Sequence, residues 1–222
     1  GAAAHDYVLA PLWKAGGVGS GPGEYGIPES VAIDSLGRVV VTDKGRMMLH
    51  VYDRDDGRPL FDVGTRGSGL GDFDRPNGIA IDATGRVLVV EQTNQRVQIL
   101  DRDYRPLGAF WRGASGGAAF TKPMGIAVDP RGQIYVTDEA RADVQVFDAG
   151  GRFLWRFATT PRLDRVESIE VDTLLQRIFV CDEGRAQVNV YDMQGRFTSA
   201  FGSQGNDPGE FGRNLHQQAV HG

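Results

Sequence analysis

Glu29, Asn77, Met124 and Glu167 stand at one recurring position of the chain, separated by 48, 47 and 43 residues. Three of the four carry side-chain oxygens, and the residue type changes from copy to copy. A residue that only shapes a repeated element tends to be kept, so this variation suits a site built asymmetrically on a symmetric frame. Carboxylates and an amide oxygen are hard ligands, suited to Ca²⁺, or to Mg²⁺ or Mn²⁺ with waters. Glu29, Asn77 and Glu167 are the candidate metal ligands, with Ca²⁺ the expected cofactor. A second series, Asp43, Glu91, Asp138 and Asp182, is acidic in every copy. That constancy suits carboxylates that accept the amides of a following turn, and Asp43 is expected mainly to hold its own turn. Asp138 and Asp182 are also placed in the candidate substrate-binding set. Arg46, Arg141 and Arg185 follow the acids by three residues. They either pair with those acids or offer guanidinium groups to an anionic substrate.

Other chemistries find little support. No H-E-x-x-H or phosphate-cradling Gly-rich loop occurs. His5, His216 and His221 fall in weakly patterned ends, and His50 is expected in a strand, partly exposed. Cys181 occupies the place held elsewhere by Thr42, Val90 and Thr137, which reads as a packing position. One cysteine permits no internal disulfide. Net charge is −5 with both signs interspersed, so a basic stripe able to grip nucleic acid is absent. No apolar run approaches the length of a membrane-spanning helix. The small residues of "GAAAHDY" resemble the end of a signal peptide, and the expected location is secreted or periplasmic.

The elements that must position these residues come from a fourfold repeat. "IPESVAIDSLGRVVVTDKGRMMLHVYD", "RPNGIAIDATGRVLVVEQTNQRVQILD", "KPMGIAVDPRGQIYVTDEARADVQVFD" and "RVESIEVDTLLQRIFVCDEGRAQVNVYD" align on the turn aspartates Asp34, Asp82, Asp129 and Asp172. Apolar residues alternate at period two, with a polar turn between the first two strands. A third strand ends each unit ("LHVYD", "VQILD", "VQVFD", "VNVYD"), and a fourth follows a second turn. Four antiparallel strands per unit make a blade of a β-propeller. The expected fold is all-β, a single domain over residues 1–222 with blades near 21–64, 67–111, 119–158 and 163–203. Inner strands are expected near 29–34, 77–82, 124–129 and 167–172. Residues 7–15 read as an outermost strand of a preceding blade, and 209–215 as the approach to a further inner strand. Four full blades are thus expected to form an arc of an incomplete ring, with association through open blade edges. Both acid series should lie on the rim where inner strands start and second strands end. The charge of Glu170, where the other inner strands carry Ala32, Ala80 and Ala127, suggests an opening or a missing neighbour.

The units resemble NHL repeats, which read roughly P-x-G-I-A-V-D, then G-x-I-Y-V-A-D, then N-x-R-V-Q-V-F-D. The resemblance covers residues 21 to about 203 and implies a propeller that is six-bladed in full. The N-x-R element is complete only in Asn94–Arg96; Arg46, Arg141 and Arg185 replace the Asn elsewhere. The fourth blade, "RVESIEVDTLLQRIFVCDE" with "VNVYDMQGRFTSAFG", is similar to bacterial phytase-like propellers. That likeness implies an acid-lined Ca²⁺ site, with Glu167 and Asp182 carried over by position. Their D-P-E-G and D-D-P-A motifs are absent here. Asn77 in "RPNG" is similar to the metal-ligating Asn of calcium-dependent lactonase propellers. Two functions follow as expectations. One is a metal-dependent ester hydrolase acting on an anionic small molecule. The other is a non-catalytic NHL module binding a protein partner.

Overall fold

The computed structural model describes residues 11–19, 21–111, 119–157 and 163–212. Most of the 112–120 loop, and His5, His216 and His221, lie outside them. Among the described residues sixteen strands form four antiparallel sheets of four, each in sequential order. The first blade holds β1 (Pro28–Ile33), β2 (Val39–Asp43), β3 (Met48–Tyr52) and β4 (Pro59–Val63). The second holds β5 (Pro76–Ile81), β6 (Val87–Glu91), β7 (Arg96–Leu100) and β8 (Pro106–Trp111). The third holds β9 (Pro123–Val128), β10 (Ile134–Asp138), β11 (Asp143–Phe147) and β12 (Phe153–Phe157). The fourth holds β13 (Val166–Asp172), β14 (Arg177–Asp182), β15 (Gln187–Asp192) and β16 (Phe197–Phe201). Among the described residues the helical content is one 3-10 turn, Glu183–Arg185. Residues 11–15, expected within an outer strand, form none; Trp13 there donates its indole N–H to the Arg54 carbonyl at 2.9 Å.

Strand chemistry explains the blade. Valine, isoleucine and aromatic residues fill the second and third strands, where pleated packing favours them. Three inner strands begin on proline, whose missing N–H is tolerated at a first strand position. The far turns are held by their aspartates: Asp34 accepts the amides of Leu36 and Arg38, and Asp82 those of Thr84 and Arg86.

Blades stack face to face around three apolar cores. Val40, Leu49 and Val51 meet Ile79, Val87 and Leu100 between the first and second blades. Leu88 and Val97 meet Ile126, Ile134 and Val136 at the next junction. Tyr135 and Val146 meet Val166, Ile178 and Tyr191 at the third. Glycine permits the tightest approach: a Cβ on Gly78 would lie 2.6 Å from the Met124 carbonyl oxygen, and one on Gly125 2.6 Å from that of Glu167. Inner strands neighbour one another in the order β1, β5, β9, β13. No contact of that extent joins β13 to β1 among the described residues. Val31 and Ile33 on β1 stay 62% and 50% exposed, whereas Ile79 and Ile126, the counterparts of Val31, are buried against a preceding blade.

Candidate functional site

Every inner strand breaks its ladder at the recurring position. Pairing with the second strand jumps from Pro28 to Ser30, Pro76 to Ile79, Pro123 to Ile126 and Val166 to Ile169. Glu29, Asn77, Met124 and Glu167 each fall in the gap. Such irregularities re-aim a side chain away from the sheet. The freed backbone is caught by threonine. Thr42 Oγ1 accepts the Ser30 amide at 3.0 Å and donates to the Asn77 carbonyl at 2.6 Å. Thr137 Oγ1 accepts the Gly125 amide at 2.8 Å and reaches the Glu167 carbonyl at 3.4 Å.

These strand starts border one cavity of about 460 Å³. Its rim carries Glu29, Asn77 and Glu167, the three residues singled out as metal ligands. Ser30, Gly78, Gly125, Ser168 and Val31 also border it, as do the edges of Ile79, Ile126 and Ile169, which are otherwise buried between blades. Glu170, Phe179 and Cys181 complete the wall, so Glu170 meets an opening. Met124 is buried and takes a bond from Gln92 Nε2 to its sulfur.

Electrostatics single out Glu167. Glu29 is ion-paired with Lys44, Glu139 with Lys122 at 2.5 Å, and Glu183 with Arg165 at 2.8 Å. Among the described residues Glu167 has no such partner. Burial, then the charges of Glu183, Glu139 and Glu29, push its carboxyl up to about 7. Asn77 is also unsatisfied: it is 6% exposed and its Nδ2 makes no hydrogen bond. Among the described residues no three His, Cys, Asp or Glu side chains converge as a metal-ligating group. A cation here would rest on two carboxylates, one amide and water. The unpaired Glu167 fits that role; Asn77 would have to turn its amide oxygen toward the cation, since its unsatisfied atom is the buried donor Nδ2.

The second acid series is turn structure. Asp43 is fully buried and accepts the amides of Gly26, Ile27, Gly45 and Arg46 at 2.7–2.9 Å. Burial raises its pKa, but those amides and His50 outweigh it and the net shift is downward. Asp138 accepts from Thr121, Lys122 and Arg141, and Asp182 from Asp164 and Arg185. Both are buried, and Asp182 also borders a cavity of about 660 Å³. The residue before each third strand adopts a left-handed conformation, at Met47, Gln95, Ala142 and Ala186.

The arginines divide. Arg46 Nη1 donates to the carbonyls of Gly21 and Glu24 at 3.1 and 2.9 Å. Arg96 does the same to the corresponding carbonyls Gly69 and Asp72 of the next blade-linking loop, while pairing with buried Glu91 at 2.5 Å. An arginine at the Asn94 position thus replaces one two residues later, which accounts for the broken N-x-R pattern. Arg141 pairs with Asp143 at 3.3 Å. Arg185, with its side chain 41% exposed, borders a second cavity of about 660 Å³ that also reaches Glu167 and Cys181.

Sequence reasoning missed a buried polar row in the third strands. His50, Gln98, Gln145 and Asn189 are fully buried, so His50 is not partly exposed as expected. Its ring nitrogens lie 3.2 Å from Asp43 and 2.7 Å from Asp62. Gln98 and Asn189 reach Glu91 and Asp182 in the same way. The signal was legible: the second residue of "LHVYD", "VQILD", "VQVFD" and "VNVYD" is always polar.

Four antiparallel four-stranded blades around a shared channel define a β-propeller. Residues 73–100 and 120–147 match the NHL repeat family, and residues 159–216 match a family described as a 6-bladed beta-propeller. The chain is a β-propeller that carries NHL repeats in its second and third blades. NHL repeat-containing protein 3 of Mus musculus is 44% identical over 52 residues, 23% of this chain and 14% of that protein. Virginiamycin B lyase from Staphylococcus aureus, in a catalytically inactive form with quinupristin, superposes with a TM-score of 0.60 at 14% identity. The match covers 78% of this chain and 55% of the lyase. The WD40 repeats of RRP9 superpose with a TM-score of 0.61 at 14% identity, over 79% of this chain and 51% of that one. At such identities the likeness is one of fold. The chain spans about one seventh of the curated relative and about half of these solved structures.

Proposed function

We propose that the channel mouth is the site of a metal-dependent ester hydrolase, with Glu29, Asn77 and Glu167 holding the cation. The carrying observation is Glu167: a carboxylate on the cavity rim, facing Glu29, Glu139 and Glu183, without the lysine or arginine that each of those has. A divalent cation supplies the missing charge and its preference for hard oxygen. Ca²⁺ is the first choice, and a secreted or periplasmic setting is proposed with it. When bound, the cation polarises an ester carbonyl and lowers the pKa of a water. This chain's own part is to fix the rim through the strand irregularities and the Thr42 and Thr137 hydroxyls. Of the arginines expected to bind an anionic substrate, Arg185 alone is half-open at a cavity.

Calorimetric titration with CaCl₂ tests the reading. Wild type should bind, and Glu167→Gln should weaken binding tenfold or more, about 1.4 kcal/mol. Absence of binding by wild type would sink it. The second reading, a non-catalytic module with a protein partner, is favoured by the arginines: Arg46 holds a loop and Arg141 pairs within its own turn. A chain that binds no Ca²⁺ and cleaves no 4-nitrophenyl ester would favour it.

A further inference from the structure

Glu29, a proposed ligand of the divalent cation, already holds a cation of the chain's own, the Lys44 ammonium. We propose that Lys44 is a built-in counter-ion that the divalent cation must displace from Glu29 before the site loads. The inference rests on the hydrolase reading of the channel mouth and adds the regulation of that site.

The contact is peculiar to the first blade. In all four blades the residue after the turn acid donates its amide to the carbonyl just before the inner strand: Lys44 to Ile27, Gln92 to Arg75, Glu139 to Lys122 and Glu183 to Arg165. In the third and fourth blades the same partners also join side chains, acid to base, at 2.5 and 2.8 Å. In the first blade Ile27 stands in place of the base and Lys44 in place of the acid. With an apolar neighbour across the ladder, the ammonium reaches Glu29 instead.

The pair is also able to open. The side chains of Lys44 and Glu29 are 21% and 20% exposed. An ion pair that reaches solvent adds little to stability, and the flexible lysine stem swings without moving its backbone. Charge opposes joint occupancy. A dication shared by Glu29 and Glu167 would sit beside the ammonium, and like charges that close repel strongly away from bulk water. Once Lys44 has swung to solvent, two carboxylates face two positive charges and balance them.

Calorimetric CaCl₂ titration of wild type, Lys44→Gln and Lys122→Gln tests the proposal. Glutamine is the occupant of the equivalent position, Gln92, so Lys44→Gln suits the turn. It should tighten Ca²⁺ binding at least tenfold. Lys122→Gln removes the same charge from the same rim and should tighten binding less than threefold. Equal tightening in both, or none in Lys44→Gln, would overturn the proposal. A second readout follows the ammonium itself. Lys14, Lys44 and Lys122 are the lysines of the chain, so acetic anhydride labelling read by mass spectrometry resolves each one. Saturating CaCl₂ should raise the labelling rate of wild-type Lys44 at least threefold and leave Lys14 unchanged; an unmoved Lys44 would overturn the proposal. Ca²⁺ binding by Lys44→Gln but not by wild type would uphold Lys44 as the block and refute the hydrolase reading alone. No binding by any of the three proteins would sink both.

Discussion

Asp43 and Glu167 are both acids at the ends of strands, and their surroundings push them in opposite directions. Asp43 gathers four backbone amides, so its charge is stabilised in the fold. Asp43→Ala orphans those donors and should cost roughly 2–4 kcal/mol in denaturant unfolding. Asp43→Asn keeps the oxygen that serves Ile27, Gly45 and Arg46, and should cost about half as much. An equal loss in both would mean that the charge, not the acceptor geometry, holds the turn. Glu167 gains protons in the fold: its carboxyl titrates near 7, while the unfolded chain releases that proton near 4.5. Its contribution to stability is therefore present at low pH and declines as pH rises from about 4.5 to 7. Melting temperatures across that window should show the decline in wild type without Ca²⁺, and Glu167→Gln should flatten it. An unchanged profile in the variant would place the titration elsewhere.

Blade-linking loops and the arginines that clasp them set the geometry between elements. The loops 16–25 and 64–73 close with equivalent parallel bridges, Val18 to Tyr25 and Arg66 to Phe73. Their carbonyls receive guanidinium from Arg46 and Arg96 respectively. The two arginines differ in what their removal leaves behind. Arg96→Leu abandons the fully buried Glu91 and should cost about 3–5 kcal/mol. Arg46→Leu leaves the Glu24 carbonyl without its guanidinium, with Gly21's still accepting the Glu24 amide and Asp43 still satisfied by amides, and should cost about 1–2 kcal/mol. Urea midpoints measure both. Amide exchange in residues 64–73 should quicken in the Arg96 variant ahead of the rest of its blade. Uniform quickening throughout the chain would argue against a local clasp.

Across the whole molecule, apolar surface concentrates on the two outermost blades. Val31 and Ile33 lie open on the first, and Leu174, Leu175 and Phe201 are 89%, 57% and 53% exposed on the fourth. Patches of this kind favour association. This chain should self-associate with rising concentration in sedimentation, and Val31→Lys with Ile33→Lys should shift it toward monomer. A wild-type chain that stays monomeric at all accessible concentrations would refute that. Among the described residues no helix is long and apolar enough to cross a membrane.

Period-two alternation and recurring turn aspartates were enough to determine the blades, because strand pairing and turn geometry are local properties of the chain. The inner strands begin one residue earlier than expected, and the alignment already grouped Glu29, Asn77 and Glu167. What the alignment could not supply was environment. Arg46 looked like a substrate ligand until the fold brought the Gly21 and Glu24 carbonyls to its guanidinium. Nor could the alignment show that the start of each blade folds amides over Asp138 and Asp182. His50 sits on a third strand whose polar position reads as a solvent face, yet Asp43, Asp62 and the ring of Tyr25 enclose it. Burial, pairing and the unpaired charge of Glu167 arise between residues distant in the chain, so only the tertiary structure decided them.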